Sequence, residues 1–216
     1  MELEKRPPTN RNRVIGRALN ATVAHAPFLW PLVRPGMRRF FDDRAREWDD
    51  RTGAGSVEHL APLAAAVLHV QPAPERALDL GTGTGEAALF LAREFPRASV
   101  RGVDMSEEMV RLAQAKVGLD PDGRVAFRTA DASDLPFAED SFDLVAQLNM
   151  PPFFAETERV LRPGGFAIVA SSWGSATPFY TPNAVLDRGF RRRGIEPLDA
   201  GETDPGTWWV GRHTRD

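Results

Sequence analysis

The stretch RALDLGTGTG holds the residues of this chain whose types and spacing point most directly to chemistry. A short apolar run carries one acid, Asp79, and ends in three glycines, Gly81, Gly83 and Gly85, that alternate with threonines. Glycines after a strand let the chain turn sharply and approach a ligand closely, and the helix that follows begins with free backbone amides. The segment therefore predicts a ligand-binding turn.

Two classes of cofactor use such a turn, and the glycines alone do not separate them. Gly83, Gly85 and Ala88 satisfy the loose G-x-G-x-x-A spacing of dinucleotide sites, with Asp104 about 20 residues further on as a ribose acid. Asp79 favours S-adenosylmethionine, because a carboxylate at the turn complements the ammonium and sulfonium groups of this cofactor and repels a diphosphate. The alternative is that Asp79 only caps the turn.

The elements that must position these residues alternate between strand and helix from residue 76 onward. This alternation predicts a parallel sheet with helices on both faces. The predicted strands are 76–80, 99–103, 125–129, 142–148 and 165–171, and the predicted helices are 86–95, 107–117, 154–161 and 182–192.

The end of the chain follows a different pattern. Two runs, IEPLDAGE and TWWVGRH, are separated by TDPG, which predicts an antiparallel hairpin at one edge of the sheet. Trp208 and Trp209 are neighbours on the second run and must point to opposite faces. On an edge strand, at most one of them is expected in the core.

Helical spacing also precedes the first strand. It predicts helices over 11–26, 37–48 and 57–68, with Thr9 or Asn10 capping the first and Ser56 capping the last. Prolines at positions 27, 31 and 35 are expected to prevent a regular helix through that segment. We predict an N-terminal helical cap or lid over residues 1–72 and a cofactor-binding core over 73–216.

Composition excludes several classes of function. With 216 residues, 42% of them apolar, the chain can bury one full core. The net charge of −3 gives no global basic field, so nucleic acid is not an expected partner. The absence of cysteine excludes disulfides and cysteine-ligated zinc. No apolar run approaches the length of a membrane span and no leader is evident, which predicts a cytoplasmic location.

Four ordered segments resemble a known family. LDLGTGTG, GVDMSEEMV, DASDLPFAEDSFDLV and RVLRPGG are similar to class I S-adenosylmethionine-dependent methyltransferases, in particular to the ubiquinone/menaquinone-methyltransferase-like branch that acts on small molecules. The resemblance extends from Phe40 to Val169. It implies a Rossmann-like, doubly wound, mostly parallel seven-stranded sheet. It also implies methyl transfer from S-adenosyl-L-methionine to a small molecule, at an oxygen, carbon or nitrogen atom, leaving S-adenosyl-L-homocysteine.

The resemblance assigns roles to individual residues around the cofactor. The glycine turn would pack against the methionine part, Asp104 would accept both ribose hydroxyls, and Asp131 would accept the adenine amino group, with Asp134 as the competing acid. Met105 and Met109 would lie against the adenine or belong to the core. The full predicted set of cofactor-binding residues is Asp79, Gly81, Thr82, Gly83, Gly85, Asp104, Met105, Met109, Asp131, Ala132 and Gln147.

The predicted acceptor pocket is aromatic. In this architecture the N-terminal helices and the loops after the fourth and fifth strands converge over the carboxyl ends of the strands, where ligands bind. An apolar or aromatic acceptor is therefore expected. The predicted substrate-binding residues are Trp30, Trp48, Asn149, Trp173 and Tyr180.

No catalytic residue is assigned from the sequence. The segment MPPF is similar to the N-P-P-[YF] motif of amino-group methyltransferases, but Met150 stands at the asparagine position, so a proline-stiffened turn is the favoured interpretation. Each of the four histidines is interpreted as a surface or packing residue. A general base is not required, because an ionised oxygen or an activated carbon can attack the methyl group without one. No D-x-x-D-N cluster is present, which predicts a metal-independent site. The alternatives are a non-catalytic module that keeps the fold for binding and an NAD-dependent oxidoreductase.

Overall fold

A single seven-stranded sheet forms the centre of the molecule, in a computed structural model that describes residues 9–120 and 122–214. The strand order is β3-β2-β1-β4-β5-β7-β6. The strands are β1 (Arg76–Leu80), β2 (Ser99–Asp104), β3 (Val125–Thr129), β4 (Phe142–Leu148), β5 (Leu161–Ser171), β6 (Ile195–Glu202) and β7 (Thr207–His213).

Helices cover both faces of this sheet. They are α1 (Asn10–His25), α2 (Trp30–Asp42), α3 (Trp48–Thr52), α4 (Val57–Val67), α5 (Glu86–Glu94), α6 (Glu107–Ala115), α7 (Phe154–Val160) and α8 (Asn183–Arg191). Thr9 caps α1 and Ser56 caps α4, each by accepting a backbone amide proton in the first turn, as predicted.

The sheet topology confirms the predicted fold class. Strands β1 to β5 pair in parallel, whereas β7 runs antiparallel to β5 and pairs with β6. The predicted hairpin is therefore present. Of its two strands, β7 lies inside the sheet and only β6 lies at an edge. The expectation for the two tryptophans is corrected accordingly. Trp208 and Trp209 are both buried, on opposite faces, because each face of an interior strand is covered.

Alternation along the strands divides the core into two layers. Ala77 of β1 belongs to a cluster that contains α4, α5 and α6, whereas Leu78 and Leu80 belong to a cluster with α7, α8 and Trp30 of α2. Successive side chains of a strand point to opposite faces, so a doubly covered sheet needs apolar residues at nearly every position. Within the described residues, no helix combines the length and the apolar character needed to cross a bilayer.

One N-terminal helix differs from its prediction. Instead of beginning at Met37, α2 begins at Trp30 and includes both Pro31 and Pro35. Pro31 lies in the first turn, where no intrahelical amide bond is needed. Pro35 leaves the carbonyl of Pro31 without its helical partner, and both prolines are exposed, so water can bind that carbonyl. The helix then ends at Asp42, and Trp48 begins α3 instead of closing the predicted helix.

Candidate functional site

The glycine turn after β1 has the backbone that its sequence requires. Gly81, Gly83 and Gly85 have φ values of 66°, 53° and 90°, in the left-handed region that residues with a Cβ atom rarely adopt. The amide of Thr82 donates to the carbonyl of Val103 over 2.9 Å, which ties the turn to β2. Gly85 then caps α5.

Asp79 lies beneath this turn and is almost completely buried. Its Oδ2 accepts a hydrogen bond from the Thr82 hydroxyl over 2.6 Å. Burial raises the pKa of the Asp79 carboxyl to about 7, and nearby Asp104 adds to this, although the Thr82 hydroxyl and the Ala88 amide act in the opposite direction. Desolvation disfavours the ionised form of Asp79. A cationic group bound at the turn would offset this cost by stabilising the carboxylate.

Asp104, the last residue of β2, joins the turn to the start of α6. Its Oδ2 accepts the Gly83 amide and its Oδ1 accepts the Ser106 amide, both over 2.9 Å. Burial raises the pKa of this carboxyl as well, against the lowering effect of those two amides, and the charge of Asp42 raises it further. Asp42 itself accepts the Ser106 hydroxyl over 2.6 Å.

Asp131 follows β3 and is held by α2. Its Oδ1 accepts the indole N–H of Trp30 over 3.0 Å and its Oδ2 accepts the guanidinium of Arg34 over 2.6 Å. Burial acts to raise the pKa of Asp131, but the bonds from Arg34, Ser133 and Trp30 together lower it. Trp30, predicted for the acceptor pocket, is thus placed against the acid predicted to bind adenine.

The remaining predicted cofactor residues are mostly in the interior. Met109 and Ala132 are buried and Met105 packs at the edge of the core. Gln147 is fully buried: its amide nitrogen donates to the Thr157 hydroxyl and its oxygen accepts the Phe153 amide, so it fixes the segment that leads into α7. A direct contact of Gln147 with the cofactor stays a prediction.

Two side chains cover the turn from outside. A Cβ atom placed on Gly83 would lie 3.8 Å from the indole nitrogen of Trp48, and one placed on Gly81 would lie 2.6 Å from the sulfur of Met150. Met150 directly follows Asn149, which adopts a positive φ of 58°. Trp48, predicted for the acceptor pocket, therefore lies at the turn.

A polar network holds α3, which begins with Trp48, against the glycine turn. Asp49 accepts the hydroxyl of Thr84 in the turn and the ammonium of Lys116. Lys116 also bonds to Glu86 of α5 over 2.8 Å. One lysine thus links α3, the first turn of α5 and the residue that follows α6.

A second group of polar residues lies where β4 and β5 end. The Asn149 oxygen accepts the Ser172 amide over 2.8 Å, and its nitrogen donates to the Ser172 hydroxyl over 2.8 Å. That nitrogen also lies 3.4 Å from Nε2 of His59. An amide nitrogen only donates, so His59 Nε2 accepts in this arrangement and its proton is on Nδ1.

A pocket opens next to this group. It is lined by Thr52, Ser56, Glu58, His59, Ser172, Trp173 and Pro205. Two predicted substrate residues, Asn149 and Trp173, therefore lie at or beside one pocket. Tyr180 lies elsewhere, where the guanidinium of Arg17 from α1 stands 5.1 Å from its ring centroid.

His59 and Ser172 were not among the site residues predicted from the sequence. A signal was available for both: α4 precedes β1 and runs back across the sheet, so its first turn lies at the carboxyl ends of the strands, and Ser172 directly follows β5. The histidine was interpreted as a packing residue because sequence spacing alone does not show that it meets Asn149, 90 residues away.

Comparisons with known proteins agree with this geometry. Residues 77–165 match a family model described as a methyltransferase domain. A ubiquinone/menaquinone biosynthesis C-methyltransferase from Geotalea daltonii is 37% identical over 131 residues, which cover 56% of this chain and 53% of that protein. A malonyl-[acyl-carrier protein] O-methyltransferase from Methylococcus capsulatus is 33% identical over 165 residues, covering 68% of this chain and 58% of that protein.

The chain thus spans little more than half the length of these two relatives. Among solved structures, a SAM-dependent methyltransferase from Aquifex aeolicus superposes with a TM-score of 0.63 at 17% identity, over 83% of this chain and 98% of that one. At that identity, the match supports the assignment of the fold.

Proposed function

We propose that this chain transfers the methyl group of S-adenosylmethionine to a small apolar or aromatic molecule in the cytoplasm, because its residues 77–165 match a methyltransferase domain. The observation that carries this proposal is the buried Asp79 carboxyl under a turn of three glycines. A cationic cofactor compensates that carboxylate, whereas the diphosphate of NAD would be repelled.

Asp104 is the proposed ribose ligand. Each of its oxygens accepts one backbone amide and keeps a lone pair with which it can accept a hydroxyl. Asp131 is the proposed adenine ligand, but Trp30 and Arg34 already donate to it. The adenine amino group must therefore share Asp131 with them or displace Arg34, so cofactor binding and the position of α2 are coupled in this proposal.

The pocket beside His59 is proposed as the point where an acceptor hydroxyl reaches the site; its volume of about 10 Å³ admits little more than one water molecule, so the body of the acceptor must lie outside it. For an acceptor hydroxyl, the oxygen forms a bond to the methyl carbon while the methyl–sulfur bond breaks and its electrons go to sulfur. The hydroxyl proton passes to the lone pair of His59 Nε2, which Asn149 orients. The contact of 3.4 Å between these two side chains is long for a hydrogen bond, so an acceptor hydroxyl can replace it.

The first test of the proposal is a calorimetric titration with S-adenosylhomocysteine and, separately, with NAD. We expect S-adenosylhomocysteine to bind and NAD not to bind. Asp104→Ala should weaken S-adenosylhomocysteine by roughly 1.5 to 3 kcal/mol, the range for hydrogen bonds to a charged group. Glu139→Ala, which removes an exposed acid outside the predicted site, is the matched control and should leave binding unchanged.

The other possible outcomes of these titrations would contradict the proposal or one of its parts. Binding of NAD alone would replace the proposal by the oxidoreductase alternative, and binding of neither ligand would favour the non-catalytic module. Unchanged affinity in a folded Asp104→Ala variant would remove Asp104 from the site while leaving the family assignment in place.

The role of His59 is tested with metabolite extracts and methyl-labelled S-adenosylmethionine. With the acceptor that such extracts supply, His59→Gln should lower kcat by about 100-fold or more, the range for loss of a general base, and should remove the acid limb of the pH–rate profile. Binding of S-adenosylhomocysteine should not change. His69→Gln, at the other end of α4, is the control, and an unchanged profile in His59→Gln would show that the acceptor needs no base from this residue.

A further inference from the structure

The N-terminal segment differs sharply in charge from the rest of the chain. Residues 9–41 contain six arginines and no aspartate or glutamate, although the whole chain has a net charge of −3. Arg34 and Arg38 pair with Asp131 and Glu107, so the charge available to an anionic partner comes from the other arginines of this segment. The net charge of the whole chain conceals this feature.

Large apolar side chains are exposed in the same segment. Phe28 and Leu32 are each 77% exposed, and Leu29 between them is 38% exposed, in the connection from α1 into α2. Val14 and Ile15 on α1 are 64% and 48% exposed. Apolar residues scattered singly need no explanation, but Phe28, Leu29 and Leu32 are exposed within five residues of one another, and such a group marks an interaction site.

The two faces of α2 have different contacts. Trp30, Arg34 and Arg38 face inward, where they bind Asp131 and Glu107 at the carboxyl ends of the strands. Leu32 and Arg39 are seven residues apart, so they share the opposite, exposed face of the helix. An apolar and a basic side chain thus point away from the protein together.

We propose that this N-terminal surface, defined by Val14, Ile15, Phe28, Leu29, Leu32 and Arg39, binds the surface of an anionic lipid bilayer. Apolar side chains that enter the boundary of the acyl chains, next to arginines that meet anionic headgroups, are the pattern of a helix that lies in a membrane interface. The proposal does not rest on methyl transfer.

A bilayer fits this surface better than the other candidates. A nucleic acid binds arginines and stacks on aromatic rings, but it has no apolar surface against which Leu32, Val14 or Ile15 could pack. A second copy docking through the same surface would bring two basic segments together. An anionic lipid surface binds the aliphatic and the basic side chains at once.

The experiment is co-sedimentation of the full chain with vesicles of phosphatidylcholine alone or mixed with phosphatidylglycerol. We expect binding to the mixed vesicles, and a loss of about tenfold or more in the double variant Phe28→Ser/Leu32→Ser, because its apolar anchors are gone. Leu68→Ser is the matched control, since Leu68 is 75% exposed at the end of α4, outside the surface. All these positions are exposed, and circular dichroism checks that each variant is folded.

The charge is tested by Arg39→Glu against Arg97→Glu, an exposed arginine before β2 that changes the net charge equally. Only the first should weaken binding to the mixed vesicles. Absence of sedimentation with the wild-type chain, or equal binding by the double variant and Leu68→Ser, would overturn the proposal. So would tight binding of single-stranded RNA that Arg39→Glu removes and the double variant keeps, because this would assign the surface to nucleic acid.

Discussion

Asp79→Asn should make the ligand-free protein more stable near neutral pH and its cofactor binding weaker. The folded protein holds the proton of Asp79 up to a pKa of about 7, whereas the model value for an unfolded aspartate is 3.8. Between these two values the folded state binds more protons than the unfolded state, so the free energy of unfolding falls as pH rises. A shift of this size corresponds to about 4 kcal/mol, lost progressively as the pH rises from about 4 to 7.

Asparagine keeps an oxygen for the Thr82 hydroxyl and cannot ionise, so the variant should lack this decline. Urea unfolding of both proteins at mildly acidic and at mildly alkaline pH tests this. The difference between wild type and variant in the free energy of unfolding should change between the two pH values. Asp143→Asn is the contrasting control, since that buried acid accepts the amides of Glu75 and Arg76 and pairs with Arg162, and its loss should destabilise the protein. A difference between wild type and Asp79→Asn that is constant with pH would contradict the role of burial.

The same substitution should weaken S-adenosylhomocysteine, whose ammonium group would meet a neutral amide in place of a carboxylate. The opposite signs are the informative part: a residue kept for stability alone would not be improved by neutralisation. Stability gained at the cost of ligand binding is typical of a functional site.

Gly85→Ala should strongly destabilise the protein, whereas Gly83→Ala should leave the fold intact and impair cofactor binding. A Cβ atom on Gly85 would lie 2.8 Å from the Phe127 ring and 2.9 Å from the Ala113 side chain, at a φ of 90°. The left-handed backbone costs about 1–2 kcal/mol for a residue with a Cβ atom, and overpacking adds about 1–3 kcal/mol. Together these amount to about 2–5 kcal/mol, a large part of the roughly 5–15 kcal/mol that stabilises a typical domain.

On Gly83 the added atom has only Trp48 as a neighbour, at 3.8 Å, so the cost to the fold is the backbone term alone. The ligand is expected to approach the backbone at this position, and the methyl group would occupy that space. Thermal unfolding and calorimetry with S-adenosylhomocysteine separate the two effects. Wild-type affinity in Gly83→Ala would mean that the cofactor does not approach the turn there.

The sheet could be predicted from the sequence almost strand by strand, because its central strands β1, β4 and β5 contain apolar runs and the others alternate with helical patterns or turn residues. The position of β7 could not. Antiparallel pairing of two adjacent runs is a local property, whereas pairing of β7 with β5 depends on contacts more than 35 residues apart, for example Ser171 with Thr207. The burial of both Trp208 and Trp209 follows from that long-range pairing.

The candidate site was predictable where it depends on backbone conformation. The positive φ angles of the glycine turn and the position of Asp104 at the end of β2 follow from local sequence. The bonds from Trp30 and Arg34 to Asp131 and the contact between His59 and Asn149 join side chains about a hundred residues apart. Periodicity predicts which face of a helix is buried, but not which polar group it meets.

The link that Lys116 makes between α3 and α5 gives the protein an internal chemical reporter. Lys116 and Lys5 are the two lysines of the sequence. The ammonium of Lys116 contacts Asp49 of α3 and Glu86 of α5, so a displacement of α3 from the glycine turn would remove the first contact and expose the amine. The labelling rate of this amine, read by peptide mapping, would therefore report any such displacement of the segment that carries Trp48, with no engineered probe.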